Sequence, residues 1–145
     1  MSMTLDYLAG FVDGEGGIYA SVNRRRDRPT PQVTFHVAAY QVDRRPLEEL
    51  QRRFGGSIGP RISQLSGRPM WRWTLTNRHG LTAFVKAMNG RLVIKAEQLS
   101  LLADWLSRPS RQCGNARLPD DEQQTRLALY ERVRSLNSPH HPVSA

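Results

Sequence analysis

The hydrophobic pattern of this chain changes period twice, in the same order each time. Leu5, Leu8 and Val12 recur at helical spacing within residues 5–14. Ile18, Ala20 and Val22 then alternate with Tyr19, Ser21 and Asn23, and residues 32–41 alternate again, with Val33, Phe35, Val37 and Ala39 on one face and Gln32, Thr34, His36 and Ala38 on the other. A second helical stripe, Leu47, Leu50 and Phe54, lies within 43–54. Alternation returns over 57–63 and 70–76, where Trp71, Trp73 and Leu75 interleave with Met70, Arg72 and Thr74. Helix, strand, strand, helix, strand, strand, then helices: this order predicts an α+β domain with a four-stranded, mostly antiparallel sheet. Helices are expected on one face, and the polar and basic residues on the other, a workable platform for a DNA groove.

Local signals set the boundaries. Thr4 can cap the first helix, because its hydroxyl can accept from an orphan N–H, and Gly14, Gly16 and Gly17 are expected to stop it. Residues 23–31, with Arg24, Arg25, Arg26 and Arg28 beside Pro29 and Pro31, read as an exposed basic hairpin connection. Pro46 suits a first helical turn, Gly55 and Gly56 a helix end, and 66–69 a turn. Helices are expected over 81–89, 93–106 and 119–136, the last opening on Asp120, Asp121 and Glu122, with a loop over 107–118. Residues 1–136 are expected to form one domain and 137–145 a frayed tail.

A chain of 145 residues, 39% hydrophobic, can bury one core. No apolar run approaches a membrane span, and no leader pattern opens the chain, so an intracellular, non-secreted protein without a membrane partner is expected. The single cysteine, Cys113, can form neither an internal disulfide nor a multi-cysteine metal site. Formal net charge is +8, and Lys86 and Lys95 are the only lysines, so the surplus is arginine. The guanidinium fork matches phosphate oxygens and the guanine edge, which points to a polyanion such as DNA or RNA. An arginine-rich composition without that role remains open on charge alone.

The stretch from Leu8 to Gly16 carries the chemistry. Ala9 and Gly10 strip bulk from a helix surface, so a second helix could approach closely. Asp13 and Glu15 fall at the helix C-terminus, where the macrodipole disfavours acids. A bound hard cation such as Mg2+ would offset that cost; two surface acids beside a glycine cap would be the plain alternative. Spacing does not separate the two.

This stretch resembles the defining motif of the LAGLIDADG homing endonucleases, and two alternating strands follow it, as in that family. The resemblance covers roughly residues 5–106 and is nearest to the single-motif branch, whose members act as homodimers. It implies a site-specific DNA endonuclease that needs Mg2+ or another divalent cation and belongs to an intron or another mobile element. Glu15 matches the metal-binding acid, and the Gly14 carbonyl a further metal ligand. Lys95 matches a catalytic lysine; its alternative is a surface lysine pairing with Glu97. Gln41 matches a polar residue lining the site, with Ala39 as the competing register. Ala9, Gly10 and Asp13 match the contact between subunits, and two such subunits imply a roughly palindromic target.

Strand parity gives the candidate DNA face: Tyr19, Ser21, Asn23 and Arg25; Gln32, Thr34 and His36; Arg61 and Ser63; Arg72 and Thr74. A merely solvated sheet face is the competing account. His36, His79, His140 and His141 have no metal-ligand spacing, and Trp71, Trp73 and Trp105 are expected in the core. A regulator that binds DNA without cutting, or an RNA maturase, is the alternative function on the same fold.

Overall fold

The computed structural model describes residues 3–23, 32–109 and 118–138. Arg25 and its neighbouring arginines, Cys113 and the residues from 139 onward lie outside them. The elements follow in the order α1 (Leu5–Glu15), β1 (Gly16–Asn23), β2 (Gln32–Gln41), α2 (Arg45–Phe54), β3 (Ser57–Ile62), β4 (Pro69–Leu75), α3 (Arg78–Met88), α4 (Ala96–Ser107) and α5 (Asp120–Asn137). The four strands form one antiparallel sheet in the order β1-β2-β4-β3. The α+β architecture is therefore as the alternating periods implied.

The core lies between the helices and one sheet face. Ile18, Phe35, Val37, Ala39, Trp73 and Leu75 present their side chains to Leu8 and Val12 of α1, Leu47 and Leu50 of α2, Phe84 of α3, Leu102 of α4 and Val133 of α5. Trp73 is fully buried, its indole N–H donating to the Gly55 carbonyl at 2.8 Å. Trp105 stacks on Phe35 with ring centroids 5.2 Å apart. Trp71 is only half-buried and lies under the Arg44 guanidinium, 4.3 Å from its ring centroid.

Several boundaries move for identifiable reasons. α1 runs through Gly14 to Glu15, and β1 begins at once at Gly16, so Gly16 and Gly17 are strand residues rather than a turn. Gly16 is needed because β2 comes close: a Cβ there would meet the Ala38 carbonyl oxygen at 2.8 Å. α3 starts at Arg78, before the expected 81, because the Asn77 side chain caps it by accepting from Gly80 N at 2.6 Å. α4 starts at Ala96, which leaves 93–95 as the loop leading into it. Ser63 lies beyond β3 and closes the hairpin turn, its hydroxyl accepting from Ser66 N at 3.3 Å.

Candidate nucleic-acid interface and reaction centre

The sheet face opposite the helices is set by pleat and register. Tyr19 sits across from His36, Ser21 from Thr34 and Asn23 from Gln32; Tyr40 sits across from Arg72, which is also opposite Gly59 of β3. Arg61, Met70, Thr74 and Ser57 share this parity. Tyr19, Ser21, Asn23, Gln32, Thr34, His36, Arg61, Arg72 and Thr74 thus lie on one surface, while Ser63 lies in the adjoining turn. Tyr40 belongs with them and was readable from the parity of His36 and Ala38. None of the described strand residues is Asp or Glu, so nothing on the strands opposes a polyanion.

Contacts within the face hold its side chains in place. The Ser21 and Thr34 hydroxyls are 3.2 Å apart, Tyr19 stacks on His36 at 5.3 Å between centroids, and the Arg72 guanidinium lies 5.7 Å from the Tyr40 ring centroid. Burial lowers the His36 pKa, and Arg72 lowers it further. Burial, with a smaller contribution from Tyr40, raises that of the Tyr19 phenol, partly opposed by Arg72.

The C-terminal end of α1 reaches the edge of this face. There the two acids have different environments. Asp13 is half-buried and accepts from Val93 N at 2.8 Å and Lys95 N at 3.1 Å, 80 and 82 residues away in sequence. The Lys95 ammonium returns to the Asp13 carbonyl at 2.9 Å. Asp13 therefore fixes the loop that carries Lys95. Lys95 does not pair with Glu97, whose carboxylate is taken by Arg132 at 2.6 Å. Glu15 is exposed, and none of the described residues hydrogen-bonds or ion-pairs with its carboxylate. A cleft of about 380 Å³ opens beside it, lined by Gly16, Gly17, Tyr19, Lys95, Gln98 and Asn137 among others.

Other expected site residues are placed differently. Ala39, not Gln41, sits opposite Gly16 and is fully buried. Gln41 lies two residues on, across from Trp71, its side-chain oxygen accepting from Val42 N at 2.8 Å, and it does not line the cleft. Of the small pair on α1, Ala9 is turned into its own chain's core, 1% exposed, because it shares the inner stripe with Leu8 and Val12. Gly10 is exposed, and a Cβ there would meet nothing within 4 Å. Tyr7 and Gly14 are exposed on the same outer side.

Among the described residues no three Asp, Glu, His or Cys side chains gather as a metal site. At the end of α1 one chain offers the unpaired carboxylate of Glu15, with the neighbouring Gly14 carbonyl. This all-oxygen set suits a hard cation, with the remaining ligands coming from outside the chain.

No family model matches the chain. Among solved structures it is similar to the homing endonuclease I-TnaI, at 26% identity over 74% of this chain and 74% of that one, with a TM-score of 0.62. It is similar also to I-CvuI, solved with the I-CreI target in the presence of 2 mM Mg, at 22% identity over 92% of this chain and 82% of that one, TM-score 0.67. A third is the LAGLIDADG homing endonuclease I-GzeII in complex with its DNA target, at 16% identity over 92% of this chain and 44% of that one, TM-score 0.64. The chain has the fold of the LAGLIDADG homing endonucleases, and the resemblance read from Leu8 to Gly16 is borne out.

Proposed function

We propose that this protein is a metal-dependent, site-specific DNA endonuclease that works as a homodimer. The observation that carries this reading is the unpartnered Glu15 carboxylate at the edge of an acid-free polar sheet face, with Lys95 held half-buried beside the same helix end. The similar structures named above, two of them solved with DNA, support it.

Glu15 and the Gly14 carbonyl are the residues that would hold a divalent cation, which would polarise a phosphate oxygen or lower the pKa of a bound water. Lys95 keeps a positive charge where negative charge develops on the scissile phosphate. Tyr19, Ser21, Asn23, Gln32, Thr34, His36, Arg61, Arg72 and Thr74 hold the duplex. Some bond phosphates and fix position; others meet base edges and confer sequence preference. Arg25, outside the described residues, joins them on its strand parity. The homodimer rests on there being one unpaired carboxylate, Glu15, at the end of α1 in each chain, and on the open outer side of α1 around Gly10. The match to less than half of I-GzeII, 44% of that chain, fits two such units acting together.

A cleavage selection tests the proposal. The protein is incubated with a randomised, palindrome-biased DNA library and Mg2+, beside Glu15→Gln, and the cut ends are sequenced. Double-strand breaks sharing a two-fold-related sequence, absent with Glu15→Gln, are the expected result. The second reading, binding without cutting, draws on the apolar Ala39 opposite Gly16 and on Gln41 turned to its own backbone. Selective recovery of bound but intact DNA would establish it, and absence of selective DNA binding would direct the search to RNA.

A further inference from the structure

Tyr19 differs from the rest of the sheet face in where its side chain goes. A Cβ placed on Gly17 would meet the Tyr19 hydroxyl oxygen at 2.6 Å and the ring carbon bearing it at 2.7 Å. The ring therefore lies back along β1 over the Gly17 backbone, toward Glu15, and Gly17 is buried beneath it. The ring also stacks on that of His36, with centroids 5.3 Å apart. Tyr19 lines the same cleft as Lys95, Gly16 and Gly17, and no described residue hydrogen-bonds its hydroxyl.

A rigid phenol with an unused O–H beside the candidate reaction centre is costly to leave unsatisfied once DNA covers it and expels water. The groups that DNA brings there are backbone phosphates, and a neutral O–H is a good donor to a phosphate oxygen. A phenol holds its proton at neutral pH, and burial, the main cause, raises the Tyr19 pKa further from that range.

We propose that the Tyr19 hydroxyl donates a hydrogen bond to the phosphate at the cleavage position, and that residue 17 is glycine so that the ring can lie there. Tyr19 forms and breaks no covalent bond; it orients the phosphate beside Lys95. This assignment rests on the endonuclease reading for the identity of the phosphate, and on DNA binding alone for the contact itself.

The test is a double cycle of Tyr19→Phe against methylphosphonate replacements stepped through the selected site. Binding is measured in EDTA and single-turnover cutting in Mg2+. Tyr19→Phe is expected to keep its melting temperature, since the lost hydroxyl has no protein partner, and to slow cutting by about tenfold or more. On unmodified DNA it should weaken binding about threefold to tenfold. At one phosphate, the one that is cut, the methylphosphonate and Tyr19→Phe should show no combined loss beyond either alone. Gly17→Ala, which must displace the ring, should reproduce the slowed cutting.

Independent, additive losses at every phosphate would overturn the contact, and coupling at a phosphate away from the break would overturn the role at the reaction centre. Should the wild type bind but never cut, the endonuclease reading fails while the binding cycle still decides the contact. Should it bind no DNA of any sequence, both fall.

Discussion

The two sides of α1 obey different rules. On the inner side Leu8, Ala9 and Val12 are buried in the chain's own core, and Asp13 satisfies two backbone N–H groups of the loop before α4. On the outer side Tyr7, Gly10, Gly14 and Glu15 are exposed, and Glu15 sits unpaired where the helix dipole disfavours it. The inner residues are explained by the stability of one chain. The outer residues are not, and we propose that they serve a cation, DNA and a second copy, all outside the chain. Two carboxylates two positions apart thus have opposite expected behaviours.

Substitutions can break that contrast. The largest effect is expected at Glu15. Glu15→Gln should reduce cutting by about a thousandfold or more in single-turnover assays. Its melting temperature should hold or rise slightly, because an acid is removed from the helix C-terminus. A destabilised Glu15→Gln would mean that the carboxylate has a structural partner after all.

Asp13→Ala should damage both properties. It orphans two N–H donors and loosens the loop that carries Lys95, so stability should fall by about 2 kcal/mol in urea unfolding, and cutting should slow. Full stability in that variant would contradict the capping role.

Next comes the small pair. Ala9→Leu overpacks the core and should cost about 1–3 kcal/mol. Gly10→Leu meets open space and should leave the folded chain intact while lowering the mass seen by light scattering. Unchanged mass would remove the outer side of α1 from the interface.

The smallest expected effect lies on the sheet face. Burial, then Arg72, lowers the His36 pKa below its ordinary 6.5, so the folded chain binds that proton less readily than the unfolded chain. Its contribution to stability is complete above pH 6.5 and is lost as pH falls through the folded-state value. The melting temperature should drop modestly between pH 7.5 and 5.5, and less so in His36→Gln. DNA should oppose the drop, because phosphates favour the protonated ring. An equal drop in both proteins would place the sensitivity elsewhere.

Much of this was readable along the chain. The alternation of Ile18, Ala20 and Val22, and of Val33, Phe35, Val37 and Ala39, marked the covered face because pleat forces period two. The helical stripes of α1 and α2 marked the sides that would be buried. The register of β2 against β1 was not readable, since it depends on pairing across the hairpin connection; only the structure places Ala39 opposite Gly16 and Gln41 two residues further on. The earlier start of α3 had a local signal in Asn77, three residues before Gly80.

Which side chains share a face, and that two acids fall at the end of α1, follow from residue order alone, because periodicity and helix ends depend on neighbours a few residues apart. Tertiary structure decided what each of those residues does. Asp13 became a cap because a loop 80 residues away came to rest on it, Lys95 turned to α1 while Arg132 took Glu97, and Ala9 went inward. Those outcomes follow from contacts between distant segments, which spacing along the chain does not encode.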